Sequence, residues 1–104
     1  MRAEPFSIDV EDDGETLVIR PTGELDATTS PQLVEAFSSS ETTHRTLVCD
    51  VTDITFIDST GIQAFLRLAD REPERFAIAG SSQPVERLLE ITGTAGLFRR
   101  VAAR

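Results

Sequence analysis

The chain has 104 residues, of which 39% are hydrophobic and 27% are charged, and this size and composition are those of one globular domain. We therefore predict a single domain over residues 1–104. The formal net charge of −8 opposes direct binding to nucleic acid or to an anionic membrane surface, because both are negatively charged. All ten basic residues are arginines, which excludes chemistry that depends on a lysine amine.

Cysteine content and hydropathy suggest where such a chain resides. The one cysteine, Cys49, lies in an apolar run and has no second cysteine for a disulfide, so it is interpreted as a small core residue. Residues 1–10 lack the long apolar stretch of a signal peptide, and no window approaches the ~18 apolar residues of a membrane span. These observations predict a cytoplasmic protein.

Two β-rich runs near the N-terminus predict a hairpin. Residues 6–10 alternate apolar and polar side chains, residues 15–20 form the second run, and the acidic residues 12–13 with Gly14 give a solvated turn. Pro21 cannot donate a ladder hydrogen bond, so we expect it where the second strand ends or lies exposed. Residues 22–23 are then expected to continue into a loop.

A helix and a buried strand are predicted next. Ser30 followed by Pro31 is a helix-start signal, and apolar residues at helical spacing follow, which places the first helix at residues 31–39. Residues 46–51 form an apolar run of strand length. Such a run indicates a strand that is covered on both faces.

The alternation of strands and helices continues in the second half of the chain. Residues 54–57 are apolar, and apolar side chains then recur at helical spacing over residues 62–69, so a second helix begins at Ser59 or Thr60. Residues 76–79 read as a short strand.

The C-terminal part predicts one more helix and one more strand. The third helix ends at Gly93, which can adopt a positive φ, and residues 97–98 with Val101 suggest a last short strand. Helices that alternate with strands after an initial hairpin predict an α/β fold with a mixed sheet.

The segment Asp58-Ser59-Thr60-Gly61 places a hydroxyl side chain at a predicted helix start. The first backbone N–H groups of a helix have no partner within it and the helix dipole favours negative charge, so a phosphate on Ser59 would be tolerated. Phosphorylation would add about −1.5 to −2 charges at pH 7. On the local pattern alone, a plain N-cap at Ser59 or Asp58 is the simpler interpretation.

Three separated segments together resemble the STAS domain family, and within it the anti-sigma factor antagonists. The family has a "GELD" loop, a "DS(S/T)G(L/I)" segment and a third helix with "RLL". This chain has Thr-Gly-Glu-Leu-Asp at residues 22–26, Asp-Ser-Thr-Gly at residues 58–61 and Val-Glu-Arg-Leu-Leu at residues 85–89. The resemblance spans nearly the whole chain. It departs at residues 93–98, where an apparent insertion separates the family's glycine from its "LF".

The resemblance implies a STAS-like fold, in which helices pack on a mixed sheet with an N-terminal hairpin. It implies that Ser59 is phosphorylated by an anti-sigma factor that is also a serine kinase. The unphosphorylated form would bind that partner and release the sigma factor, and a phosphatase would reset the switch. The implied partner-binding residues are Asp26, Asp58, Ser59, Thr60 and Gly61, with Thr60 a neighbour of the acceptor. No catalytic residue, metal or cofactor is expected, so the chain is predicted not to be an enzyme.

Two other functions remain open. A STAS scaffold subunit of a lipid transporter or a stress-signalling complex would share the fold without the same switch. An aspartate-based phosphoryl site would use Asp50, Asp53 and Asp58 around Mg²⁺, but it also requires a lysine that this chain lacks. A dyad of Ser59 with His44, the only histidine, is disfavoured because His44 lies in a polar loop and is predicted to be solvated.

Overall fold

A computed structural model describes residues 5–38 and 44–103, which form a mixed six-stranded sheet and three α-helices. The elements in chain order are β1 (Ser7–Asp12), β2 (Thr16–Leu25), α1 (Ser30–Ser38), β3 (Thr46–Asp50), β4 (Ile54–Ile57), α2 (Ser59–Arg71), β5 (Phe76–Ala79), α3 (Gln83–Thr92) and β6 (Arg99–Val101). The strand order is β1-β2-β3-β5-β6, with β4 beside β2. The β1–β2 hairpin is antiparallel and the other pairs are parallel. The predicted α/β fold with an N-terminal hairpin is confirmed.

Strand β2 is longer than predicted, because it exchanges one partner strand for another. It runs through Pro21, which is buried, so the expectation of an exposed proline at the strand's end, followed by a loop, is wrong. Pairing with β3 reaches Ile19 and pairing with β4 starts at Gly23. The Gly23 N–H donates to the Asp53 carbonyl at 3.1 Å, and alternate residues of a strand direct their nitrogens to the same side. The Pro21 nitrogen therefore points to the gap between β3 and β4, where no ladder bond is lost.

The core lies between the helices and one face of the sheet. Leu17 and Ile19 of β2 join apolar residues of all three helices in one cluster, whereas Val18 faces the other side with Val48. Both faces of β3 are buried, as its apolar run predicts. Cys49 is a fully buried core residue, as predicted, and burial raises the pKa of its thiol above the ordinary value.

The helix boundaries follow the sequence signals closely. Helix α2 begins at Ser59, and Gly93 ends α3 with a φ of 70°. The first helix includes Ser30, and the predicted end at residue 39 lies outside the described residues. Residues 95–97 form a 3₁₀ helix and the strand follows at 99–101, so the prediction of residues 97–98 as strand is wrong. Within the described ranges, no helix combines the length and the hydrophobicity that a membrane crossing requires.

The environment of His44 differs from the prediction. His44 is 5% exposed, and its Nε2 lies 2.8 Å from Oδ1 of Asp12 on the hairpin. The hydrogen bond from the Gly14 amide and then the bond with His44 hold the pKa of the Asp12 carboxyl below its ordinary value. The predicted solvated histidine is wrong because residues 32 positions apart meet in the fold. His44 therefore fastens the hairpin to the segment before β3.

Candidate functional site

Parallel pairing of β2 with β4 brings two of the predicted segments together. Leu25 is in register with Ile57, and these are the last residues of β2 and β4. Asp26 and Asp58, which directly follow the two strands, therefore lie at the same edge of the sheet. The Asp58 N–H donates to the Leu25 carbonyl at 3.3 Å, which joins the two strand ends directly. Because ligands and partners of parallel sheets bind at the carboxyl ends of the strands, this edge is the candidate site.

Asp58 is the N-cap of α2. It has an extended backbone, with φ −119° and ψ −170°, and its Oδ1 accepts hydrogen bonds from the amides of Thr60 at 2.9 Å and Gly61 at 3.4 Å. The Thr60 hydroxyl donates to the same oxygen. That hydroxyl bond, together with the amide bonds and against the effect of burial, holds the pKa of the Asp58 carboxyl below its ordinary value. The carboxyl is therefore ionised at neutral pH.

The two adjacent hydroxyls of the site differ in availability. Ser59, the first residue of α2, is exposed, and its hydroxyl makes no hydrogen bond in the described part of the chain. Thr60 is half-buried, and its hydroxyl is already bonded to Asp58. Of the two residues that the sequence offers as a plain N-cap, Asp58 has that role and Ser59 does not. The Ser59 hydroxyl at the N-terminus of α2 is therefore accessible to a partner.

Gly61 allows α2 to begin close against the strand ends. A Cβ at this position would lie 2.6 Å from Cγ1 of Ile57 and 3.1 Å from Cδ2 of Leu25. The glycine therefore sets how closely the Ser59 segment packs on β2 and β4. Any larger residue must displace the first turn of α2 or the buried side chains beneath it.

We expect Gly61→Ala to lower the free energy of unfolding by about 1–3 kcal/mol, because the added methyl overpacks this contact. Urea denaturation measures the change. Gly96→Ala is the matched control, since a Cβ at Gly96 meets no atom within 4 Å. Equal midpoints for the two variants would contradict the packing role of Gly61.

Asp26 is fixed by the turn that leads from β2 into α1. Its Oδ1 accepts hydrogen bonds from the amides of Thr28 at 3.0 Å and Thr29 at 3.1 Å. The Thr29 hydroxyl in turn donates to the Glu24 carbonyl at 2.7 Å. Sequence analysis selected Asp26 but missed Thr29, although an Asp followed three residues later by Thr is a turn signal that could have indicated it.

A groove between α1 and α2 opens beside the site and is called here the α1–α2 groove. Pro31 and Val34 form one wall, and Gln63, Ala64 and Arg67 form the other. The half-buried Thr60 also lines it, next to the exposed serine. Sequence analysis did not select Gln63 or Arg67. Their positions, four and eight residues after the serine, put them near it on the same helix face, which is a readable signal.

The other candidate acids are arranged differently. Asp50 is hydrogen-bonded to Arg20 and to Thr52, whereas Asp53 is exposed and has no side-chain partner in the part of the chain that the structure describes. Over residues 5–38 and 44–103, no three acidic, histidine or cysteine side chains gather as metal ligands do. The arrangement of Asp50, Asp53 and Asp58 gives no support to an aspartate-based phosphoryl site.

Comparison with known proteins identifies the family of this fold. A model of the STAS domain family matches residues 7–103. The chain belongs to the STAS domain family. An anti-sigma-B factor antagonist of Listeria monocytogenes is 32% identical over 99 residues, which are 89% of this chain and 86% of that protein. The resemblance inferred from the "GELD", "DSTG" and "RLL" segments is confirmed.

Solved structures show the same fold for this STAS domain. An anti-sigma factor antagonist from Mycobacterium paratuberculosis has a TM-score of 0.80 at 22% identity, over 92% of this chain and 85% of that one. Unphosphorylated SpoIIAA, also an anti-sigma factor antagonist, gives 0.71 at 23% identity, over 96% and 89%. Phosphorylated SpoIIAA of Bacillus gives 0.65 at 22%, over 96% and 92%. The fold is therefore similar to both forms of that protein.

Proposed function

We propose that this STAS domain is an anti-sigma factor antagonist controlled by phosphorylation of Ser59. The unphosphorylated form binds an anti-sigma factor that is also a serine kinase, and the bound sigma factor is released. Phosphorylation of Ser59 by the same partner ends the complex, and a phosphatase restores it. The observation that carries the proposal is the exposed Ser59 hydroxyl at the N-terminus of α2, which no described residue engages in a hydrogen bond.

The local geometry favours Ser59 over Thr60 as the acceptor. A kinase must bring the γ-phosphate in line with a hydroxyl that can approach it. Ser59 is exposed and free, whereas the Thr60 hydroxyl would first have to leave Asp58. Once attached, the phosphate lies at the positive end of the α2 dipole, so the helix is not disrupted by the new charge.

Binding, rather than catalysis, is the role that the side chains support. A nucleophilic serine requires a base within hydrogen-bond reach, but the Asp58 carboxylate is directed to the amides of Thr60 and Gly61. His44 is engaged with Asp12 on the hairpin. The proposal therefore describes a regulatory binding protein without cofactor or metal.

The surroundings of the protein follow from the same proposal. Its partners are the anti-sigma kinase, which contacts Asp26 and residues 58–61, and the phosphatase that acts on phosphorylated Ser59. A bacterial cytoplasmic location fits both partners. Nucleic acid and membranes are not direct partners, because the net charge of −8 repels both.

Phosphate transfer tests the assignment of the acceptor. Incubation with ATP and a purified serine-kinase anti-sigma factor from the same genome should modify Ser59 alone, because its hydroxyl is the accessible one. Peptide mass spectrometry locates the phosphate, and Ser59→Ala should remain unmodified. Stoichiometric phosphate on Thr60 would overturn the assignment.

If no anti-sigma factor binds, while the protein co-purifies with a transporter or stress complex, the scaffold function is correct instead.

A further inference from the structure

Arg67 is an arginine without a hydrogen-bond or ion-pair partner in the described part of the chain, and it lines the α1–α2 groove. Over residues 5–38 and 44–103, four arginines pair with carboxylates and two others donate hydrogen bonds to oxygen atoms. Arg67 on α2 and Arg87 on α3 do neither, although the chain has eighteen acidic residues. In a protein of net charge −8, a guanidinium with no partner among the described residues therefore lies in the α1–α2 groove beside Ser59.

Four of the seven other residues that line the α1–α2 groove are apolar. Pro31 and Val34 face Ala64 across it, and Gln63 adds an amide near the end where Thr60 lies. The Ser30 hydroxyl at the same place is buried and has no hydrogen-bond partner in the described residues. These features fit a protein segment with aliphatic side chains, since apolar contacts and a few polar groups are what a docked segment buries.

We infer that the α1–α2 groove receives an apolar segment of the anti-sigma partner, and that this segment carries a carboxylate that pairs with Arg67. The inference rests on the proposed function. Two observations select this occupant. The groove continues the site at Ser59, and within the described residues its one charged side chain is a cation without a partner. Arginine is also the basic residue best suited to bidentate pairing with a carboxylate at an interface.

The same arrangement links the groove to the switch. Arg67 is eight residues after Ser59, which places their backbones about 12 Å apart along the helix. A phosphate on Ser59 adds about −1.5 to −2 charges at the near end of the groove. The summed charge of Arg67 and the phosphorylated Ser59 then changes from +1 to about −0.5 to −1. Phosphorylation would therefore remove an attraction as well as add bulk.

Charge reversal tests the inference with an internal control. The affinity of the purified anti-sigma kinase is measured by calorimetry for the parent, for Arg67→Glu and for Arg87→Glu, which makes the same charge change on α3. We expect Arg67→Glu to bind at least about tenfold more weakly and Arg87→Glu to match the parent. Gln63→Trp, which fills the groove without changing charge, should also weaken binding. Circular dichroism confirms that each variant is folded.

The outcomes separate this inference from the proposed function. An arginine in place of the partner's carboxylate that restores binding to Arg67→Glu would identify the pair. If the parent binds and both charge-reversed variants bind equally to each other, whether tightly or weakly, the inference is wrong and the proposed function stands. If no anti-sigma factor binds the parent, the proposed function fails and the inference fails with it.

Discussion

Phosphorylated protein is expected to bind the anti-sigma kinase roughly 30- to 1,000-fold more weakly than the parent, a loss of about 2–4 kcal/mol. The reason is the position of Ser59, which begins α2 beside the ionised Asp58. A phosphate there must lose its hydration when the partner closes over it. The side chains of Asp26 and Asp58 at the same sheet edge are carboxylates, so they repel the phosphate and do not compensate its charge. Calorimetric titration of both forms against the kinase measures the effect.

Variants of Ser59 separate charge from bulk. Ser59→Ala should bind as the parent does and should not be switched off, and its stability should change little because Asp58 supplies the cap. Ser59→Asp carries one charge and less bulk, so it should weaken binding only partly. Ala95→Asp adds the same charge at an exposed residue before β6, at the opposite end of the parallel strands, and should leave binding unchanged. An unaffected affinity for the phosphoprotein would show that the charge mechanism is wrong.

The fold is expected to survive phosphorylation, because the helix N-terminus accepts the phosphate without rearrangement. Amide chemical shifts of the free phosphoprotein should therefore change around Asp26 and residues 58–62 and remain constant elsewhere. Shifts that spread across the whole sheet would instead indicate refolding.

Local sequence signals were sufficient where the structure depends on neighbours along the chain. The start of α2 at Ser59 and the end of α3 at Gly93 follow from capping and helical spacing, which act within a few residues. The sequence pattern does not show whether Asp58 or Ser59 is the N-cap. It depends on which side chain reaches the amides of Thr60 and Gly61, and only the geometry of the turn decides that.

Local sequence patterns did not predict the contacts between segments that are far apart along the chain. Pro21 is buried within β2 because the partner strand changes there, and no local rule for proline contains that information. His44 is buried because it meets Asp12 of the hairpin. The closeness of Asp26 to Asp58 requires β2 to pair with β4, which is not its neighbour in sequence. The "GELD" and "DSTG" resemblance supplied this proximity as an expectation, and the strand register explains it.

A second large effect is expected at Asp50, whose side chain is 3% exposed at the end of β3. It accepts from Nε of Arg20 at 3.2 Å and from the amide and hydroxyl of Thr52 at 3.0 and 2.6 Å. The neighbouring Gly80, with φ 70°, has no room for a Cβ, which would lie 2.7 Å from Oδ1 of Asp50. Asp50→Ala removes one partner of a buried charged network, so the free energy of unfolding should fall by about 3 kcal/mol.

Urea denaturation at neutral pH measures the change. Asp53→Ala is the control, because it removes an exposed aspartate of the same segment for which the described residues provide no side-chain partner. The pH dependence provides a second test. Burial raises the pKa of Asp50, but the bonds from Thr52 and Arg20 outweigh it and leave the pKa below its ordinary value. Its contribution is therefore complete above the unfolded pKa of about 3.9 and is lost as the pH falls through the folded value. On acidification, the free energy of unfolding of Asp50→Asn should therefore fall less than that of the parent. In the urea test, equal midpoints for Asp50→Ala and Asp53→Ala would contradict the buried network.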